Sequence, residues 1–200
     1  MLHFLSRAYK ALRNDYSAYN FIRRSFPKSQ IERNVFFKGD LRNLVLDGRV
    51  AIQFGSVIHL GGFEWCNYQG HLEIGDASVI SPNCTIFAAG SGGVRIGKRF
   101  DCGPGVCIFA SRTDYIKGVN EHIFAPVIIG DDVTVFANSV ISPGVRLGDG
   151  SVIAACSVVT TDVPPGSFVG GAPARVLKED FRIRAAAQTR RLPALVQSDR

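Results

Sequence analysis

The chain has 200 residues, of which 46% are hydrophobic and 20% are charged. This length fits a single domain, and the apolar content excludes disorder over most of the chain. The five cysteines are an odd number and form no CxxC pair, which argues against a disulfide framework and against a clustered zinc site. The formal charge of +6 suits any polyanionic partner, whether a phosphate-bearing cofactor, nucleic acid or a membrane face.

The N-terminal segment has apolar residues at the spacing of an amphipathic helix. They are Leu2, Leu5, Tyr9, Leu12, Tyr16, Tyr19, Ile22 and Phe26. Residues 1–30 are predicted to form either a helical cap on the rest of the domain or, because basic residues flank the stripe, a helix in peripheral contact with an anionic membrane. The first twelve residues scatter charges where a signal peptide has its apolar stretch, and no run of about 18 apolar residues occurs. We therefore expect a cytoplasmic location, at the inner membrane face if the helix binds membrane.

A six-residue period follows, over residues 44–162. Its clearest members are Ile129, Val135, Ile141, Leu147, Ile153 and Val159, each with a small or apolar residue two places before it. An amphipathic helix repeats every 3.6 residues and a sheet strand every two, whereas short strands joined by tight corners, with two inward side chains per strand, repeat every six. The period therefore predicts an all-β solenoid.

The hexapeptides group in threes into five coils of eighteen residues, numbered 44–61, 72–89, 94–111, 127–144 and 145–162. Three leftover segments, 62–71, 90–93 and 112–126, fall between complete coils and should leave the solenoid at one corner of its triangular cross-section. The first segment has an alternative interpretation: a further hexapeptide, Cys66/Tyr68, with a four-residue insertion would shift the earliest coil by one face. We expect the solenoid domain over residues 31–178, and over 179–200 a short helix followed by a mobile tail.

Residues 127–177, VIIGDDVTVFANSVISPGVRLGDGSVIAACSVVTTDVPPGSFVGGAPARVL, resemble the closing part of the hexapeptide-repeat acyltransferases. The chain is most similar to the maltose/galactoside O-acetyltransferases and to the acetyltransferases of exopolysaccharide synthesis, over about residues 44–178. The resemblance implies a left-handed parallel β-helix, a homotrimer, and acetyl-CoA bound in the groove between neighbouring prisms. It also implies a saccharide or nucleotide-sugar acceptor.

The resemblance also assigns the cofactor-binding positions. Ala155 stands in the small-residue turn beside the pantetheine arm, and Ala137 matches a contact in the preceding coil. Thr160 and Thr161 stand where relatives have a Thr-Lys pair, so the lysine charge is missing here.

Two basic residues follow the GGAPA string of residues 170–174. Arg175 and Lys178 match positions that face the nucleotide phosphates in relatives. Ordinary exposure to solvent is the alternative, because isolated basic side chains are usually exposed.

The catalytic position departs from the family. Relatives carry a histidine general base in strings such as SHDY, and here Thr113 takes its place, while Thr134 replaces the tryptophan that commonly opens the next coil. Threonine cannot accept a proton at neutral pH. We predict that His122 of the same loop is the base and that Asp114 orients it. The alternative is that His122 is inert, with His71 as the next candidate.

The first insertion supplies the predicted substrate contacts. Trp65, Tyr68 and His71 lie on the same edge as the catalytic loop but about two coils below it, and flat aromatic faces suit the apolar faces of a sugar. In the alternative interpretation, Phe63, Trp65 and Tyr68 form a hydrophobic plug over the prism. His59 is expected to face outward on the first coil.

These features predict an acetyl-CoA-dependent O-acetyltransferase of saccharide hydroxyls, in surface polysaccharide or lipopolysaccharide synthesis. The alternatives are an N-acetyltransferase of an amino sugar and a non-catalytic binding or scaffold protein. No metal is expected, because His59, His71 and His122 lack the short spacing of a γ-type carbonic anhydrase site. No nucleic-acid partner is expected either.

Overall fold

The computed structural model describes residues 18–118 and 121–181. Most of the predicted N-terminal stripe, from Leu2 to Tyr16, lies outside these residues, as do the parts of the predicted C-terminal helix and tail beyond Phe181. In the two described segments, no helix combines the length and the apolar character needed to cross a membrane.

The described elements begin with an α-helix, α1, over residues 18–25. The strands are β1 (Gln30–Ile31), β2 (Phe36–Lys38), β3 (Leu44–Leu46), β4 (Val50–Ile52), β5 (Val57–His59), β6 (Leu72–Ile74), β7 (Ser78–Ile80), β8 (Thr85–Phe87), β9 (Val94–Ile96), β10 (Asp101–Cys102), β11 (Cys107–Phe109), β12 (Ser111–Thr113), β13 (His122–Phe124), β14 (Val127–Ile129), β15 (Thr134–Val135), β16 (Val140–Ile141), β17 (Arg146–Leu147), β18 (Val152–Ile153), β19 (Val158–Val159), β20 (Phe168–Gly171) and β21 (Ala174–Lys178). Two short 3-10 helices span Leu41–Asn43 and Glu64–Cys66.

Three sheets form the walls of a triangular prism. Face A contains β1, β4, β7, β10, β15, β18 and β20, face B contains β2, β5, β8, β11, β16 and β19, and face C contains β3, β6, β9, β14 and β17. Each coil runs from face C through face A to face B, and successive coils pair in parallel. The predicted left-handed parallel β-helix is confirmed.

The pairing register confirms the five coils and settles the phase of the first. Leu44 pairs with Leu72 and Leu46 with Ile74, so the coil of residues 44–61 stacks on the next without a shift. The alternative hexapeptide at Cys66/Tyr68 is wrong. Residues 64–66 form a 3-10 helix, and Tyr68 has a left-handed backbone with φ of 57°, which no solenoid strand can adopt.

One partial coil was not predicted. β1 pairs with β4, and β2 pairs with β5, which extends the prism below residue 44. These strands close the end of the stack and have a coil on one side only, so inward Phe37 is only partly buried and their burial pattern is weak. The hexapeptide signal therefore fades at the end of the solenoid, although the strand pairing continues.

The corner between faces A and B, here called the A–B edge, is a stack of tight turns. The residue with a left-handed backbone in each turn is Gly55, Asn83, Gly105, Asn138 or Cys156. In all five turns its N–H donates to a carbonyl of the turn below, as Cys156 does to Ala137 at 2.9 Å. Glycine and asparagine tolerate this conformation most readily. Cys156 is the exception in the stack.

The described part of the N-terminal helix packs against the solenoid core. Ile22 is 1% exposed and belongs to the same apolar cluster as the inward residues of the coils. Its neighbour Phe21 is 41% exposed. This packing supports the prediction of a cap on the first coil.

Replacing Ile22 tests the cap. We expect Ile22→Ala to lower the free energy of unfolding by about 2–5 kcal/mol, because it deletes a buried side chain and leaves a cavity. Phe21→Ala, on the exposed side of the same turn, should change it by less than about 1 kcal/mol. Urea unfolding of both variants measures the difference, and equal small effects would show that the helix does not cap the core.

Candidate active site

The three insertions leave the prism at one corner, as predicted. Residues 62–71, 90–93 and 112–126 each connect a face-B strand to the face-C strand of the next coil. They build a raised ridge beside face B, here called the insertion edge.

The longest insertion starts as an antiparallel hairpin. β12 pairs with β13 so that Thr113 lies opposite His122, and Ser111 lies opposite Phe124. Side chains that are directly opposite in an antiparallel pair share one face. Thr113, the position at which relatives carry the histidine base, is therefore the direct cross-strand neighbour of His122.

Face B supplies an aromatic floor beside this hairpin. The parallel register aligns Lys38, His59, Phe87 and Phe109 in one column of outward side chains. The His59 and Phe87 rings stack with centroids 4.3 Å apart, and the Phe87 and Phe109 centroids are 6.2 Å apart.

Trp65 closes the space between floor and hairpin. Its ring centroid lies 5.0 Å from that of His122, 5.8 Å from Phe87 and 6.1 Å from Phe124. The sequence predicted that Trp65 lies about two coils below the catalytic loop. The first insertion instead folds upward along the insertion edge and brings Trp65 beside His122. Fully buried Cys66 anchors it.

A cavity of about 510 Å³ opens between these elements. It is lined by His59, Trp65, Phe87, Phe109, Ser111, Arg112, Thr113 and His122. Aromatic rings with a few convergent polar groups are typical of a small-molecule site. The short insertion packs closely against the hairpin, because a Cβ on Gly90 would collide with the Phe124 ring.

The predicted catalytic pair is only partly brought together. His122 faces the cavity, but Asp114 is 7% exposed and accepts a hydrogen bond from the Ile116 N–H at 3.2 Å, while Lys117 Nζ lies 3.8 Å away. In the described parts of the chain, no hydrogen bond or ion pair joins Asp114 to His122. Asp114 follows Thr113, and consecutive strand residues point to opposite faces, so its carboxylate holds the hairpin turn instead.

The other residues of the first insertion lie outside the cavity. Tyr68 is 68% exposed. His71 Nε2 lies 3.4 Å from Glu73 Oε2, and Arg95 Nε lies 4.0 Å from the same oxygen. Of the predicted substrate contacts, Trp65 alone lines the cavity.

The expected cofactor positions lie on both borders of face B. Ala137 and Ala155 are on the A–B edge, while Thr160 and Thr161 follow β19 at the opposite border and are exposed. Thr160 follows inward Val159 as Phe109 follows inward Ile108. It therefore continues the column of His59, Phe87 and Phe109, two coils or about 10 Å higher.

The two basic positions lie on the terminal hairpin of β20 and β21, and both are exposed. Arg175 Nη1 donates to the Ala174 carbonyl at 2.8 Å, and Lys178 Nζ lies 5.6 Å from the Phe181 ring centroid. The hairpin is tied to the A–B edge because the Gly171 N–H donates to Ser157 Oγ at 3.2 Å. Within residues 18–118 and 121–181, no three His, Cys, Asp or Glu side chains converge to hold a metal ion.

Sequence reasoning missed four aromatic residues of the site, which are His59, Phe87, Phe109 and Phe124. The first three share a detectable signal: each follows the second inward residue of a face-B strand, namely Ile58, Ile86 or Ile108. Phe124 has no such signal, because its place depends on the hairpin register.

A family profile described as bacterial transferase hexapeptide (six repeats) matches residues 126–161, within the stretch that carried the resemblance. Residues 126–161 thus carry the hexapeptide repeat of this transferase family.

Relatives and solved structures agree with this assignment. A 2,3,4,5-tetrahydropyridine-2,6-dicarboxylate N-acetyltransferase of Staphylococcus aureus (strain JH9) is 49% identical over 70 residues, which are 34% of this chain and 29% of that protein. The hexapeptide-repeat-containing acetyltransferase VCA0836 of Vibrio cholerae O1 biovar eltor, complexed with acetyl-CoA, is 29% identical with a TM-score of 0.53. That alignment covers 80% of this chain and 75% of the other.

A third similarity concerns the fold alone. AntD, an N-acyltransferase from Bacillus cereus, is 18% identical with a TM-score of 0.67 as its S84C mutant in complex with dTDP-4-amino-4,6-dideoxyglucose and coenzyme A. The alignment covers 80% of this chain and 83% of AntD. The aligned part of this chain spans less than a third of the length of the Staphylococcus enzyme.

Proposed function

We propose that the chain is an acyl-CoA-dependent acyltransferase that transfers an acetyl group to a hydroxyl of a saccharide. The observation that carries the proposal is the cavity on face B, where His122 faces an aromatic floor whose column continues up to Thr160. One face of the prism thus carries a proton-accepting residue, an apolar site for the saccharide, and a position that contacts the cofactor in relatives.

The chemistry of the cavity favours a saccharide acceptor. Trp65, Phe87 and Phe109 offer flat apolar surfaces for the C–H faces of a sugar ring, while Arg112 and Ser111 supply polar contacts. A nucleotide sugar is the second candidate. It is favoured by AntD, whose structure contains a dTDP-linked amino sugar.

The A–B edge and the terminal hairpin fit coenzyme A. Small residues at Ala137 and Ala155 let a narrow pantetheine arm approach the backbone, and Arg175 and Lys178 are exposed, where phosphates can reach them. When bound, acetyl-CoA supplies the acetyl group as an activated thioester.

The proposed mechanism needs one proton-transfer residue. His122 accepts the proton of the acceptor hydroxyl as its oxygen bonds to the thioester carbon, and the C–S bond then breaks. The proton held by His122 passes to the departing sulfur, which leaves as the thiol of coenzyme A. Thr113 has no proton-accepting role, because its hydroxyl is not basic at neutral pH.

Transfer to nitrogen is the second candidate reaction. The Staphylococcus relative and AntD are both named for N-acyl transfer, and an amine acceptor would need the same cavity and the same base.

A non-catalytic binding or scaffold role is the third candidate. Release of coenzyme A from acetyl-CoA with a panel of sugars and amino sugars distinguishes all three. Participation in surface polysaccharide or lipopolysaccharide synthesis and a cytoplasmic location stay predictions of the sequence.

The family resemblance implies a cofactor groove between neighbouring prisms, so we expect a homotrimer. Three copies of the 21.7-kDa chain come to about 65 kDa. Size-exclusion chromatography with light scattering at micromolar concentration measures this mass. A monomer would rule out a groove shared between subunits.

The basic positions are tested by removing both charges. The double variant Arg175→Ala/Lys178→Ala should weaken coenzyme A binding by about 1–3 kcal/mol, because two hydrogen bonds to phosphate are lost. Arg146→Ala, an exposed arginine on face C, is the matched control and should leave affinity unchanged. Titration calorimetry measures both, and unchanged affinity in the double variant would show that the two residues do not contact the cofactor.

The hairpin register allows a rescue test of the base. His122→Ala should lower kcat by about 10²–10⁴-fold and leave acetyl-CoA affinity nearly intact, because proton transfer alone is lost. Adding Thr113→His to this variant places an imidazole directly across the hairpin, and we expect partial recovery of kcat.

Full activity of His122→Ala would place the base elsewhere. His71, whose imidazole lies beside Glu73, is then the next candidate. Loss of acetyl-CoA affinity together with kcat would instead indicate that the hairpin had been disturbed.

A further inference from the structure

His59 is a second histidine in the cavity, and the proposed mechanism does not use it. It belongs to β5 on the solenoid wall and lies outside the catalytic hairpin. Its ring stacks on Phe87 at 4.3 Å and makes tilted contacts with Phe63 at 5.2 Å and Trp65 at 5.7 Å. The imidazole is thus held on a rigid strand by three aromatic rings.

One ring nitrogen of His59 is already engaged. The Gly61 N–H donates to His59 Nδ1 at 3.4 Å. Gly61 is itself fixed, since it is buried, has φ of 72°, and a Cβ there would collide with the Gln69 carbonyl oxygen. A neutral imidazole has one acceptor and one donor nitrogen, so Nδ1 carries the lone pair and Nε2 carries the hydrogen.

The surroundings keep this imidazole neutral. Burial lowers the pKa of His59 below its ordinary 6.5, and the positive charge of Lys38 lowers the pKa further. The other titratable groups that line the cavity are Arg112 and His122, which carry no negative charge. A proton on Nδ1 would also point at the Gly61 N–H. The hydrogen-bond geometry and the surrounding charges therefore both favour the neutral imidazole.

The Nε2–H of His59 has no acceptor of its own. Within residues 18–118 and 121–181 the one hydrogen bond of the His59 ring is that at Nδ1, so no protein group there accepts from Nε2, and the ring borders the cavity. A donor in an apolar site costs free energy when it stays unpaired, so a ligand with a matching acceptor atom is selected.

We infer that His59 is an acceptor-binding residue whose Nε2–H donates a hydrogen bond to an uncharged oxygen of the substrate. The inference rests on the proposed function and specifies its substrate class: a ring with one apolar face, bearing a hydroxyl, ether or carbonyl oxygen beside that face. It also gives the two histidines of the cavity different roles. His122 accepts a proton, and His59 cannot do so at Nε2, which is already protonated. An ammonium group at this position is excluded, because it offers no lone pair and would face Lys38 and Arg112.

Two variants of His59 test the assignment. His59→Phe keeps a ring stacked on Phe87 and removes the donor, while His59→Gln keeps an N–H donor on a side chain of similar reach. With acetyl-CoA and methyl glycosides of glucose, galactose and mannose as probes, His59→Phe should raise the acceptor KM by about 5- to 50-fold. His59→Gln should recover part of this loss, while kcat and the KM for acetyl-CoA change less than about twofold. Equal KM values in wild type and His59→Phe, or a loss confined to kcat, would overturn the inference.

Imidazole ¹⁵N NMR of the full chain gives a readout that does not need turnover. We expect His59 in the Nε2–H form at neutral pH, with a pKa below 6.5. Its Nε2–H signal should shift when the methyl glycosides are added. An Nδ1–H form, or a cationic ring at neutral pH, would contradict the assignment.

The two experiments separate failure of the inference from failure of the proposed function. If the wild type releases no coenzyme A with any of the probes or with amino sugars, acyl transfer is refuted. The role of His59 is then decided by binding alone, through the Nε2–H shift in the wild type and weaker glycoside binding by His59→Phe. A His59 signal that no glycoside moves would refute that role as well.

Discussion

The structure depends on one constraint, the in-register stacking of short parallel strands at about 4.8 Å per coil. Because the coils repeat without a shift, each residue lies above its equivalent in the coil below, and inward residues form continuous apolar columns. The same rule applies to the outward side chains. His59, Phe87 and Phe109 are far apart in sequence, yet the stacking makes them one aromatic surface. The repeat therefore builds the floor of the site as well as the core.

The candidate site lies where insertions interrupt the repeat. All three insertions leave at the same corner, so segments from different coils meet above face B, and Trp65 of the first insertion contacts His122 of the third. The family position of the catalytic histidine is occupied by Thr113, but the hairpin register places His122 directly opposite it. In the proposed mechanism the base therefore lies on the neighbouring strand of the hairpin, opposite the family position.

The sequence predicted what depends on periodicity and missed what depends on the paths of the insertions. The solenoid, its five coils and the common corner follow from the spacing of residues such as Ile129 and Leu147. The partial coil at Phe36–Lys38 was missed because an end coil buries too little apolar surface to repeat the pattern. The contact of Trp65 with His122 was missed because the path of a ten-residue insertion depends on tertiary contacts. Asp114 was paired with His122 by proximity in sequence, whereas strand alternation turns its carboxylate toward Ile116 and Lys117.

The central claim is that cofactor and acceptor meet on face B of the hexapeptide-repeat prism. The most direct test is a crystal structure of the protein with coenzyme A bound. We expect the pantetheine arm to run past Ala137 and Ala155, and the sulfur to lie over face B between Thr160 and His122. Coenzyme A on face A or face C, or a sulfur that points away from the cavity, would contradict it.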